Sequence, residues 1–123
     1  MNKELNENLP IYTQIMMKIS QAVVSGEMKP GERVPSVRDL AELFGVNPNT
    51  MQRALSELER DGLLASERTT GRYVTHDTNL IEITRIKLAK ETVENFQSEM
   101  EALGFTTKEI ASFFHNKVVE RVG

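Results

Sequence analysis

The N-terminal half of the chain contains three stretches in which apolar residues recur at the spacing of one face of an α-helix. The first stretch predicts a helix over residues 10–25, and its apolar positions are Ile11, Ile15, Met16, Ile19, Val23 and Val24. Residues 26–36 then have the composition of a turn. Within them, Pro30-Gly31 is typical of a type II turn, and Pro35 disfavours a helix before Ser36.

The second and third stretches together predict a helix-turn-helix. The second helix starts at the capping residue Ser36 and stops at Gly45. The third starts at Asn47, an N-cap that Pro48 follows at the first helical position, and runs to about residue 60. Because a single further residue separates Gly45 from Asn47, the connection is as tight as this motif requires.

Two short strands are predicted after the third helix, over residues 63–67 and 72–75. They flank the loop Arg68-Thr69-Thr70-Gly71, whose glycine is suited to the tip of a hairpin. A hairpin that directly follows a helix-turn-helix indicates a β-wing. The first part of the chain is therefore predicted to be a winged helix-turn-helix.

The C-terminal part is predicted to be a helical hairpin. Its first helix, over residues 80–103, has apolar residues seven positions apart, as in a coiled-coil seam, at Ile86, Ala89, Val93, Phe96, Met100 and Leu103. Thr106 and Glu109 form a capping box that opens a last helix, with Phe113 and Phe114 on its apolar stripe. We expect these residues to form a homodimer interface, because a small neighbouring domain is unable to cover both stripes. Packing of the hairpin onto its own wing domain, as a monomer, is the alternative.

Composition narrows the possible functions. The 123 residues include no Cys, which excludes disulfide frameworks, thiolate metal sites and cysteine nucleophiles. The two His lie in different segments, and no catalytic set or Gly-rich phosphate loop is present, so we expect no metal, no cofactor and no enzyme. No apolar run reaches the roughly 20 residues that span a bilayer, and the N-terminus lacks an apolar signal segment. We therefore expect a cytoplasmic protein without a membrane partner.

Charge alone does not identify the partner. The formal net charge is −3, which argues mildly against nucleic acid. Residues 29–75, however, hold seven positive and seven negative side chains, and six of the seven cations are Arg. The positions of those arginines, rather than their number, decide what this segment can bind.

Residues 10–75 carry a dense and ordered series of motifs: Pro10-Ile-Tyr-x-Gln14-Ile, Gly26, Pro30-Gly-Glu-x-Val-Pro-Ser-Val-Arg-Asp-Leu-Ala41, Val46-Asn-Pro-Asn-Thr50, Arg53-Ala54, Leu58-Glu59 and Asp61-Gly62-Leu63. This series resembles the GntR family of bacterial transcription regulators. The Asn-Pro-Asn-Thr form and the short C-terminal part resemble the YtrA-type subfamily, in which a helical pair dimerises the protein. The resemblance implies a sequence-specific, DNA-binding regulator, with a homodimeric repressor at a palindromic operator as the expected form. The chain departs from the family at Pro48, where other branches have a base-contacting Arg, and at the wing tip, which lacks one glycine.

The first turn of the third helix presents amide, hydroxyl and guanidinium groups without a carboxylate, a combination suited to phosphates and base edges. From the residues alone, a merely solvated helix face is an equally good interpretation; the resemblance favours double-stranded DNA. It also implies that an Arg at the start of the second helix contacts DNA. An arginine-bearing wing tip has the shape to enter a minor groove. The predicted DNA-binding residues are Ser36, Arg38, Asn47, Pro48, Asn49, Thr50, Gln52, Arg53, Arg68, Thr70, Gly71 and Arg72.

The sequence thus predicts a mainly α-helical protein with a small β-wing. We expect a flexible tail over residues 1–9, a winged helix-turn-helix DNA-binding domain over residues 10–76, and a helical dimerisation arm over residues 77–123. Two alternatives stay open: a winged helix whose third helix contacts a protein, and a scaffold whose helical arm is the functional part. No set of residues indicates a small-molecule effector. The amino-acid sequence does not identify the operator or the regulated genes.

Overall fold

Five helices and two strands make up residues 9–122, the part of the chain that this computed structural model describes. In chain order they are α1 (Ile11–Val24), α2 (Val37–Phe44), α3 (Pro48–Arg60), β1 (Leu64–Glu67), β2 (Gly71–Val74), α4 (Thr78–Ala102) and α5 (Thr107–Val122). The predicted tail lies outside the described residues, apart from Leu9. The chain divides into two units within α4, the first ending at Arg85 and the second beginning at Ile86.

The predicted helix-turn-helix is confirmed, and local hydrogen bonds define both of its helix starts. The Ser36 hydroxyl accepts from the backbone N–H of Asp39 at 3.1 Å, which caps α2. Gly45 ends α2 in the left-handed region, with φ 67°. The side-chain oxygen of Asn47 accepts from the backbone N–H of Asn49 at 2.7 Å, which caps α3 directly afterwards. These caps fix the point at which α3 emerges from the turn.

Helix α3 is the central element of the first unit. Its apolar stripe is completely buried, at Met51, Ala54, Leu55 and Leu58. The stripe packs in one core with residues of α1, α2 and the wing, including Ile15, Ile19, Val23, Leu40, Leu64 and Val74. Because one face of α3 is held in this core, the opposite face is held toward solvent.

The wing is an antiparallel pair in which Leu64 lies opposite Val74 and Glu67 opposite Gly71. A third segment extends this sheet, because the N–H of Val34 donates to the carbonyl of Arg72 at 2.8 Å and the N–H of Val74 donates to the carbonyl of Glu32 at 2.9 Å. The sequence predicts only a turn there. The paired segment is too short, and too closely flanked by prolines, to show the alternation of a strand.

The second unit contains α4 from Ile86 onward and all of α5, which form the predicted helical hairpin. The capping box is present: the N–H of Thr106 donates to Glu109 at 2.9 Å, and the N–H of Glu109 donates to the Thr106 hydroxyl at 3.2 Å. Met100 of α4 and Ile110 of α5 are buried. No helix among residues 9–122 combines the length and the apolar character needed to cross a membrane.

Candidate nucleic-acid interface

The exposed side of the first two turns of α3, with its N-cap, brings together six of the twelve predicted DNA-binding residues. Asn49, Gln52 and Arg53 are exposed, and Thr50 is half-buried beside them. The first carboxylate of α3 comes only at Glu57, in the third turn. The surface is therefore rich in donors and free of acidic groups where the helix begins, as contact with phosphates and base edges requires.

Asn47 and Pro48 are exposed at the very start of α3, but they differ in what they can still bind. The side-chain oxygen of Asn47 is engaged as the helix cap, so its remaining polar group is the amide nitrogen, a donor. Pro48 has no N–H and no polar side-chain atom, so it can contribute only apolar contact. Of the first three residues of this surface, Asn49 alone has a side-chain amide without a structural role in α3.

Arg53 has a neighbour that no pattern in the sequence associates with it. Its guanidinium carbon lies 3.9 Å from the centroid of the Tyr12 ring, which is half-buried on α1. Stacking of this kind holds an Arg in one orientation while its N–H groups remain available. The two residues are 41 positions apart in the sequence. No local motif connects them, so the sequence does not predict their contact.

The start of α2 carries Ser36 and Arg38, both exposed. The Ser36 hydroxyl accepts the capping bond, so its role in the fold is established independently of any ligand. From the sequence, pairing of Arg38 with Asp39 or Glu42 is an open alternative. Among residues 9–122, none of the ion pairs includes Arg38, so its guanidinium is available beside the first N–H groups of α2.

The two arginines predicted for the wing lie in different environments. Arg68 and Thr70 are exposed at the tip, and Gly71 follows with φ 119°. The Arg72 side chain is only 16% exposed and forms an ion pair with Glu59 of α3. The Ser66 hydroxyl donates to the same Glu59 oxygen at 2.9 Å. Arg72 therefore lines one groove with Ser36, Arg68 and Gly71, but its guanidinium is engaged by Glu59 at the end of α3.

Glu59 thus joins α3 to both strands of the wing, and acid is expected to weaken this connection. Burial raises the pKa of Glu59, but hydrogen bonds from Arg72 and Ser66 and the charge of Arg72 outweigh it, so the pKa lies below its ordinary value of 4.5. A carboxylate whose pKa is lower in the folded chain than in the unfolded chain stabilises the folded state fully at pH values above its ordinary pKa. That contribution is lost as the pH falls through the folded pKa.

We therefore expect Glu59→Gln to lower the free energy of unfolding by about 1 kcal/mol at neutral pH and to flatten its decline below the ordinary carboxyl pKa. Urea unfolding followed by circular dichroism at neutral and acidic pH measures both effects. Glu57→Gln is the matched control, because within residues 9–122 the ion pair of Glu57 is with the exposed Arg60 of the same helix, at 3.9 Å. An unchanged acid response in Glu59→Gln would contradict the expected role of Glu59.

The predicted dimer residues separate into two groups in the second unit. Phe96 and Met100 pack within the hairpin, where the Phe96 ring meets the Phe114 ring edge-to-face at 5.9 Å and Met100 is buried. Exposed positions remain at Ile86, Ala89, Val93, Leu103, Phe113 and Phe114. Val118, Val119 and Val122 extend the exposed apolar surface along α5. A single chain therefore leaves much of this unit's apolar surface in contact with water.

A family model described as bacterial regulatory proteins, gntR family, matches residues 11–74. The HTH-type transcriptional regulator YhcF of Bacillus subtilis is 36% identical over 110 residues, which are 89% of this chain and 91% of that protein. The HTH-type transcriptional repressor YtrA of Bacillus subtilis is 43% identical over 82 residues, 63% of each chain. Both relatives have names that describe regulators of transcription.

Two solved structures have the same fold. A GntR family transcriptional regulator from Listeria monocytogenes has a TM-score of 0.79 and 39% identity, covering 89% of this chain and 96% of that one. AraR(DBD) in complex with operator ORR3 has a TM-score of 0.52 and 33% identity, covering 55% of this chain and 81% of that one. The first likeness extends over both units, while the second concerns about half of the chain.

Proposed function

Because the chain belongs to the gntR family of bacterial regulatory proteins, we propose that it represses transcription by binding a palindromic DNA operator as a homodimer. The family resemblance noted in the sequence is thereby confirmed, and the similarity to YtrA supports the YtrA-type subfamily. Its relatives are regulators, so the chain is not an enzyme. In this proposal residues 10–76 bind DNA and residues 77–123 form the dimer, in the cytoplasm.

One observation carries the proposal: the donor-rich, acid-free surface at the start of α3, opposite a completely buried stripe. Asn47, Asn49, Thr50, Gln52 and Arg53 would meet base edges in the major groove, where Asn and Gln amides pair with adenine and Arg pairs with guanine. Other branches of the family have a base-contacting Arg where this chain has Pro48. Discrimination between DNA sequences would therefore depend on the amides that follow Pro48. AraR(DBD), a structural relative over this part of the chain, was solved on an operator.

Other predicted contacts would position α3 rather than read the sequence. Arg38 and the first N–H groups of α2 are suited to a phosphate, since a guanidinium and a helix N-terminus both favour an anion. Arg68, Thr70 and Gly71 at the wing tip would follow the minor groove beside the major-groove contact. Phosphate contacts of this kind fix the register of a protein on the duplex and add affinity for any sequence.

The homodimer is supported by the exposed apolar surface of the second unit. Exposed Val93, Phe113, Phe114 and Val119 lie on a hairpin whose own core already contains Met100 and Ile110. A second copy of the same hairpin would remove this surface from water. Two-fold symmetry in the protein in turn requires two half-sites related by symmetry in the operator.

The proposal is tested by binding to DNA taken from upstream of the chain's own gene, with a random duplex of equal length as reference. We expect preferential binding to the upstream DNA, measured by fluorescence anisotropy over a series of salt concentrations. Arg38→Ala should weaken binding to both duplexes and lower the log–log salt slope by about 0.9 for each phosphate that the variant no longer neutralises.

Arg60→Ala is the matched control, because Arg60 is an exposed arginine at the opposite end of α3. It should leave both the affinity and the salt slope unchanged. Absence of binding to any duplex would contradict the proposal and favour a protein partner for α3. Equal slopes for Arg38→Ala and the wild-type chain would contradict the phosphate role of Arg38.

A further inference from the structure

Arg33 lies alongside β2 of the wing, in the short segment that extends the sheet. This segment runs alongside β2, because residue 33 forms an antiparallel bridge with Tyr73 and the N–H of Val34 donates to the carbonyl of Arg72. Val34 is buried and Arg33 is exposed, as expected for consecutive residues of an extended segment. The side chain of Arg33 is therefore on the solvent face of the wing.

The absence of a side chain at Gly71 provides the space for this guanidinium. A Cβ built on Gly71 would lie 3.3 Å from both Nε and Nη2 of Arg33, closer than an ordinary van der Waals contact. The φ of 119° at Gly71 also disfavours any other residue. Gly71 therefore has two reasons to be glycine, the backbone conformation of the hairpin and the position of Arg33.

Arg33 and Arg72 lie on neighbouring segments of the same sheet, but only one of them is neutralised. Arg72 is paired with Glu59, whereas none of the ion pairs formed within residues 9–122 includes Arg33. Glu67 lines the same groove, but none of the ion pairs among residues 9–122 joins its carboxylate to Arg33. Of these two arginines, Arg33 is therefore the one whose guanidinium is outside an ion pair in the described part of the chain.

The groove beside Arg33 is lined by four of the predicted DNA-binding residues. It has a volume of about 510 Å³, and its lining includes Ser36 at the start of α2, Arg68 at the wing tip, Gly71 and the paired Arg72, together with Arg33. A duplex whose backbone reaches both Ser36 and Arg68 would pass over Arg33. A guanidinium in that position can bind a phosphate through two N–H groups.

We propose that Arg33 binds a DNA phosphate beside the wing, as the DNA-contacting arginine there in place of Arg72, and that Gly71 provides the space for its guanidinium. The inference rests on the proposed DNA binding. Arg72 is then a positioning residue, which sets the wing against α3 through Glu59.

The test compares the salt dependence of binding to the upstream DNA for the wild-type chain, Arg33→Ala, Arg33→Lys and Arg60→Ala. Arg33→Ala should lower the log–log slope by about 0.9 for one phosphate, or about 1.8 for a dimer that binds two. Arg33→Lys should keep the slope, since it keeps the charge, and Arg60→Ala should have no effect. The double variant Glu59→Gln, Arg72→Gln removes a neutral pair and should also keep the slope.

The possible failures are distinguishable. If the wild-type chain binds DNA and Arg33→Ala has an unchanged slope, this inference is overturned while the proposed function stands. If the wild-type chain binds no duplex, both are overturned. A lowered slope in the double Glu59, Arg72 variant would show that Arg72 neutralises a phosphate and would also overturn the inference.

A second measurement tests whether Gly71 positions the Arg33 guanidinium. Gly71→Ala should weaken DNA binding more in the wild-type background than in Arg33→Ala, because part of its effect is displacement of the guanidinium. Circular dichroism verifies that each variant is folded. Equal reductions in affinity in the two backgrounds would show that Gly71 affects only the backbone conformation of the hairpin. That result would contradict its role in positioning Arg33.

Discussion

Val93→Glu is expected to convert the protein into a monomer and to weaken operator binding between about 10²- and 10⁴-fold. Val93 is 60% exposed on α4 and belongs to the predicted seam. A carboxylate buried at that position in a dimer would be desolvated without a partner, whereas in a single chain it would remain in water. Without the second subunit, only one half-site is bound at a time, and the gain in affinity that two linked binding events give is removed.

Sedimentation velocity over a range of protein concentrations measures the assembly state, and anisotropy measures operator affinity. Ser98→Glu is the control, because Ser98 is exposed on the same helix but lies outside the heptad seam. It should stay dimeric and bind normally. A wild-type chain that sediments as a monomer even with operator present would contradict the dimer, as would a Val93→Glu variant that remains dimeric.

Asn49→Ala is expected to weaken operator binding by about 10- to 100-fold for each half-site while changing binding to random DNA little. A well-placed amide contact to a base is worth about 1–3 kcal/mol of discrimination. Asn49 is exposed, and its side chain has no capping role, so the variant should fold normally. Selection from a pool of randomised duplexes would then return a preferred site that differs from the wild-type site at the position contacted by Asn49.

This pattern is the opposite of that expected for Arg38→Ala, which should reduce binding to all sequences. The two variants measured side by side therefore separate base recognition from phosphate contact. Parallel reductions in affinity for operator and random DNA in Asn49→Ala would show that Asn49 acts only on the backbone. An unchanged selected site would lead to the same conclusion.

The elements that the sequence predicts well are those whose signals are local. Ser36 and Asn47 cap helices by bonding to N–H groups two or three residues away, and Gly45 ends α2 through its own backbone conformation. Each of these signals lies within one turn of the element that it defines. The order of helices and hairpin follows from such signals, which is why the winged helix is predictable from the sequence.

The features that the sequence does not predict depend on residues that are distant in the chain. Arg72 reaches back 13 positions to Glu59, and Arg53 stacks on Tyr12 of α1. Neither pair has a periodicity, so the side chains look like independent surface residues in the sequence. The apolar seam shows a related limit: its spacing identifies a buried face, but α5 of the same chain covers Phe96 and part of the expected interface.

The cap at the start of α3 has a consequence for how such a regulator could be retargeted to new operators. Asn47 both begins the helix and lies on its outward surface, so replacing it changes recognition and folding together. Only Ser, Thr, Asp and Gly would preserve much of the capping energy, which is about 1 kcal/mol. Descendants of this chain would therefore change their operator preference mainly through substitutions at positions 49 and 52. Position 47 would be restricted to the few residues that cap a helix.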